Sequence, residues 1–209
     1  MPEYIVFSIC LIILSVTGVL KSPCRAVGLS MFELLYMLLC ALALSVFDMT
    51  LSVELKVNAG AAVMIFLPAL LVEETRENQG GAVAALVLFS SVIALVERSG
   101  LVYGSDNGLF SALMAGKGGG VFVWGRDKTV MAGTSAVLLN ESRGCACCIA
   151  AGIPVFSRVV GCFINMASIG YSSLEIGPEV LFSQLAALSM AIVIIWIHSL
   201  CSVAGADAK

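Results

Sequence analysis

Apolar residues run in blocks along this chain, and the blocks change character between its ends and its middle. Long, nearly unbroken runs stand at 4–20, 31–47, 81–96 and 180–203, each bounded by charged or turn-forming residues. About 20 mainly apolar residues cross a bilayer as a helix, so these runs predict membrane spans. Lys21-Ser-Pro23-Cys-Arg25 predicts a turn after the first, and Asp48 ends the second. Leu51-Ser-Val-Glu54-Leu-Lys56-Val then alternates apolar and polar positions, which predicts a short extended or interfacial segment. It leads into a further span over 57–72 that opens with small residues, Asn58-Ala-Gly60-Ala-Ala, and holds Pro68. The stretch 73–80 is the most charged and predicts a solvated loop.

From Gly108 the pattern breaks up. An apolar segment over 108–124 is interrupted by Gly116-Lys117-Gly-Gly-Gly120, and the run at 129–140 is short. The run at 149–169 contains Pro154, Arg158 and Asn165, and the last run carries Gln184 and His198. Backbone that leaves helical geometry at membrane depth has unpaired N–H and C=O groups. It survives there only when buried in protein or facing a hydrated cavity. The expected fold is therefore all-α: a single membrane domain over 1–209, a polytopic bundle of about six to eight segments with interrupted or re-entrant central helices.

Composition strengthens this reading. Hydrophobic residues make up 60% of the 209 and charged residues only 12%, with a mean hydropathy of +1.04. A soluble domain carries about 25% charged residues to face water. The first charge is acidic, Glu3, whereas a signal peptide opens on a basic region, so the first run reads as a retained span. The expected location is a cell membrane, crossed several times, of the prokaryotic inner or plasma-membrane kind. A net charge of −3 gives no basic footprint and argues against nucleic acid as a partner. The expected partners are the lipid bilayer and either a second copy or another membrane protein. Alternating spans place Lys21, Arg25, Arg76, Arg126 and Lys128 on one side and Lys56, Arg98, Arg143 and Lys209 on the other, a weak lean to an outside N-terminus.

Of the eight cysteines, Cys10, Cys40, Cys162 and Cys201 lie in apolar runs, where cysteine acts as a small hydrophobe. Cys145-Ala-Cys147-Cys148 lacks the paired spacing and extra ligands of a metal site, and the one histidine is distant, so no metal and no cofactor are expected. Gly116-Lys117-Gly departs from a phosphate loop, which needs Ser or Thr after the lysine. A charge at mid-membrane is expensive and marks function by default. Glu33, Lys56, Lys117, Glu141, Arg158, Glu175 and His198 are the candidates, with the amides Asn58, Asn140, Asn165 and Gln184. Lys117, closely flanked by apolar residues, needs a carboxylate or carbonyls within reach, and Glu141 is the nearest candidate.

Three segments carry a resemblance. Leu55-Lys-Val-Asn58-Ala-Gly60-Ala-Ala-Val63, the basic turn and apolar run from Gly125 to Glu141, and Ala167-Ser-Ile-Gly170-Tyr-Ser-Ser-Leu-Glu175 resemble, in order, segments of a domain-of-unknown-function family of bacterial and archaeal membrane proteins, family 1614. Ala61 stands where the family has a second glycine, Glu141 and Glu175 where it has aspartates, and Tyr171 where it has glycine. The resemblance implies a membrane architecture and a grouping of Asn58, Gly60, Glu141, Gly170 and Glu175. It implies no reaction.

Broken helices with glycine are how many transporters turn backbone groups toward a substrate at the midplane. The leading expectation is thus a transporter or channel-like protein for a small solute or ion, with Asn58, Gly60, Lys117, Glu141, Gly170 and Glu175 as binding residues. An intramembrane enzyme of the aspartyl-protease kind, using Glu141 and Glu175 as paired carboxylates, is the alternative. A non-catalytic assembly factor, built on the small-residue faces of 82–94 and 132–136, is the third.

Overall fold

The computed structural model describes residues 3–52, 54–71, 79–98, 136–137 and 143–206. Lys117, Asn140 and Glu141, with all of 108–124 and most of 129–140, lie outside the described residues. The elements in order are α1 (Glu3–Val16), α2 (Lys21–Val27), α3 (Met31–Leu44), β1 (Asp48–Ser52), β2 (Leu55–Asn58), α4 (Ala59–Leu71), α5 (Gln79–Arg98), α6 (Arg143–Ile169), β3 (Leu174–Ile176) and α7 (Pro178–Ala206). The described part is mostly helical. α6 and α7 (as far as Ser202) are long and apolar enough to cross a membrane, and α1 with α2 would form a third such unit if counted as one.

The first run departs from a single straight span. α1 stops at Val16, and α2 follows after a turn at an angle of 95° to it. The segment Lys21–Arg25, expected as a turn, is helical, because Pro23 sits in the first turn where its missing N–H has no intrahelical partner to lose. Two distant contacts hold α2: Trp196 Nε1 donates to Ser22 Oγ at 3.0 Å, and Arg143 Nη1 donates to Ala26 O at 2.9 Å. The second contact also corrects the assignment of Arg143 by alternation. It shares the α2 end of the molecule with Lys21 and Arg25, through a tertiary contact that no count of apolar runs reveals.

α3 starts with a reciprocal cap. Ser30 Oγ accepts from Glu33 N at 3.2 Å, and Glu33 Oε2 accepts from Ser30 N at 2.6 Å, so Glu33 satisfies a helix end. The alternating stretch before α4 is a strand pair. β1 and β2 run antiparallel, Asp48 opposite Asn58, and β3 joins on the far side parallel to β2, with Lys56 opposite Glu175 and Val57 opposite Ile176. β2 and β3 each feed directly into a helix, α4 and α7, so two strand-to-helix junctions lie side by side.

α6 packs against α4, α5 and α7, and α7 also against α1 and α2. Gln184 reaches Ala151 and Arg158 reaches Glu179, a falling register that makes α6 and α7 antiparallel. Phe7 meets Phe182 edge-on at 5.3 Å and Ser22 meets Trp196, so α1 rises alongside α7 from the sheet toward α2. One end of the bundle therefore holds Glu3, Asp48, Glu54, Lys56, Arg158, Glu175 and Glu179, and the other holds Lys21, Arg25 and Arg143. From Arg143 to Arg158, α6 rises about 22 Å at helical pitch.

Between these ends the core is mainly apolar with a few polar residues among it, and the surface is apolar as well. Ser8, Ser15, Ser45, Asn58, Ser90, Ser157 and Gln184 are buried, while large apolar side chains are exposed in helical register. Val6, Ile9, Ile13 and Val16 mark such a face on α1; Phe32, Tyr36 and Leu39 on α3; Val83, Val87, Leu88, Val92 and Leu95 on α5.

Candidate functional site

The polar interior centres on the start of α4. Asn58 is the last residue of β2 and the N-cap of α4, and its side chain is 1% exposed. Its Oδ1 accepts from Gly60 N at 3.1 Å and Ala61 N at 3.3 Å, two of the amides that a helix start leaves without intrahelical partners. Its Nδ2 donates to Ser45 O at 2.8 Å and Asp48 Oδ1 at 2.7 Å. Both N–H groups and the carbonyl are thus used, and the end of α3, the start of β1 and the start of α4 are tied at one point. Ala59 N donates to Phe47 O at 2.9 Å beside it.

Gly60 makes that convergence sterically feasible. A Cβ on it would meet Ala41 O at 2.5 Å and Ser45 N at 2.8 Å, both backbone atoms that cannot swing aside. Asn58 and Gly60, expected as binding residues, stand two positions apart at the start of α4. Their arrangement is that of a capped, close-packed helix start.

One helical layer further in, Gln184 of α7 lies fully buried. Its Nε2 donates to Ala61 O at 3.1 Å on α4 and to Ala151 O at 3.0 Å on α6. With two carbonyls on that side, the amide orientation is fixed, since flipping it would set three oxygens together. Among the described residues Gln184 Oε1 has no hydrogen-bond partner. Ser90 Oγ, on α5, is the other buried side-chain polar atom without one among the described residues. Asn58 accepts the N–H of Ala61 and Gln184 takes its C=O, so the two amides bracket a single residue of α4.

The remaining candidates are dispersed. Glu175 is exposed on β3, its carboxylate on the same outer face as Lys56 by register. Arg158 Nη1 donates to Glu175 O and Glu179 Oε1, each at 3.1 Å, which clasps α6 to β3 and to the first turn of α7. Gly170, at φ +79°, ends α6 in the left-handed region, with its N–H donating to Met166 O at 3.0 Å. His198 is exposed near the far end of α7. Cys145 and Cys147 are buried in the first turns of α6, Cys148 is half-buried, and none of the eight cysteines forms a disulfide. Among the described residues no three His, Cys, Asp or Glu side chains cluster as metal ligands.

Sequence reasoning found Asn58 and Gly60 but treated Asp48 only as the end of a span. The signal for Asp48 was its place ten residues before Asn58, at the far ends of an alternating hairpin. Gln184 was visible as an amide in the last apolar run, although nothing in the sequence placed it beside Ala61. No family model matches this chain, and no curated protein or solved structure matches it either.

Proposed function

We propose that the protein is a multi-pass membrane protein that moves a small solute or ion, as a transporter or channel-like protein of the cell membrane. The observation that carries this reading is the buried, half-satisfied Gln184 amide, about midway between the two charged ends of a molecule whose outer surface is apolar. In hydrocarbon the apolar faces of α1, α3 and α5 cost nothing to expose, whereas in water they would be a liability. In this reading α1, α3, α4, α5, α6 and α7 run between the charged ends. α3 and α4, at 14 and 13 residues, are short for a bilayer of about 30 Å and imply local thinning around them.

Lys117 and Glu141 are assigned to the same pathway as Gln184, on the sequence argument that a charge flanked by apolar residues needs a functional reason. The paired-carboxylate enzyme ranks below this, because Glu175 lies on the outer face of a strand rather than within the polar interior. The test is solute and ion flux in proteoliposomes. Lys117→Met and Glu141→Gln are expected to lower a flux that the wild type supports. Unchanged flux in both, with normal insertion, overturns the assignment.

A further inference from the structure

We infer that Gln184 Oε1 is the inner ligand of a binding site for a small monovalent cation at the junction of α4, α6 and α7. This names the solute class for the transport reading and rests on it. Two observations point to a positively charged guest. The amide nitrogen is spent on Ala61 O and Ala151 O, so the group can only offer its oxygen. That oxygen is inaccessible and has no partner among the described residues. An unmet buried acceptor costs about 1–3 kcal/mol, which a guest that coordinates it recovers.

A second acceptor belongs to Ala150, the residue before Ala151 on α6. Pro154 has no N–H, so Ala150 O of α6 lacks the intrahelical donor it would otherwise have four residues on. Ala150 packs in one buried cluster with Ala187 and Ala191 of α7, on successive turns after Gln184. Gln184 therefore offers an amide oxygen and α6 a freed peptide oxygen next to Ala151, and the side chains clustered around Ala150 are apolar. An anion would meet only oxygen lone pairs there. A small cation finds the neutral oxygen ligands that discontinuous or proline-broken helices supply in membrane proteins. The alanines leave α6 and α7 close together, which favours a small guest over a bulky one.

The test is the melting temperature of the purified full-length protein in detergent, in sodium, potassium or ammonium chloride against N-methylglucammonium chloride at equal ionic strength. At least one small cation is expected to raise it by about 3–5 °C at ten times its dissociation constant, over the bulky control. Gln184→Met, close in volume and without the oxygen, is expected to abolish the shift. Gln184→Glu, which adds a charge at the same position, is expected to enlarge it and keeps the test decisive if the methionine variant does not fold. No difference between small and bulky cations, or an undiminished shift in Gln184→Met, overturns the site. Cation binding with no flux in proteoliposomes leaves the site standing and removes the transport reading. Flux that ignores Gln184 does the reverse.

Discussion

Asn58 and Gln184 are both buried amides, they touch the two ends of the same Ala61 peptide environment, and they are used in opposite ways. Asn58 is saturated: its carbonyl caps α4 and both its N–H groups tie down Ser45 and Asp48. Gln184 is half used, with its nitrogen bound and its oxygen left over. A saturated buried amide fixes geometry and has nothing to offer a ligand. A half-satisfied one is a stored cost that a ligand can relieve. The difference assigns Asn58 to the framework and Gln184 to the guest, although the sequence presents them only as two amides in apolar runs.

The comparison predicts a graded set of stabilities. Asn58→Ala is expected to be the most damaging change, about 3 kcal/mol, because it strands Gly60 N and Ala61 N and removes the bond to Ser45 O at a buried junction. Denaturant titration in mixed micelles measures this, and a loss below about 1 kcal/mol would mean water replaces the cap. Gly60→Ala is expected to cost about 2 kcal/mol, since the added carbon meets backbone on both sides of the α3 end. A tolerated alanine would mean that α3 and α4 separate freely there.

Smaller effects separate the outer clasp from the inner amide. Arg158→Ala breaks an exposed pair with Glu179 and a bond to Glu175 O, and is expected to cost less than about 1 kcal/mol and to be blunted by salt. Gln184→Leu is expected to lie within about 1 kcal/mol of wild type without added cation. The two lost bonds go to helix carbonyls that keep their own N–H partners, and removing the orphaned oxygen offsets them. If Gln184→Leu proves as damaging as Asn58→Ala, the division between framework and guest fails.

Much of the framework was readable before any coordinates. The alternation at 51–57 marks an extended segment, though not its pairing into a hairpin, the last apolar run marks α7, and Asn58 with Gly60 stands out as a pair at the start of a run. These are local signals, set by period and by residue size. The parts that were not readable depend on distant partners. α2 is helical across Lys21–Arg25, and it is held by Trp196 and Arg143, more than 100 positions away. β3 has only three residues and exists by pairing with β2. Gln184 looks like any amide in an apolar run until α4 and α6 are folded against it. Glu33, an intramembrane charge by its place in an apolar run, is a capping residue because Ser30 stands three positions before it.

All of this supposes that the apolar exterior faces lipid and that the two charged ends face opposite sides of a bilayer. Single cysteines placed at Lys56, Glu175, Lys21 or Arg143 in a cysteine-free background, labelled in sealed vesicles with a membrane-impermeant maleimide, test it directly. Positions 56 and 175 should label from one side only, and positions 21 and 143 from the other only. Labelling of all four from the same side would contradict a membrane-crossing core and the pathway assigned to it.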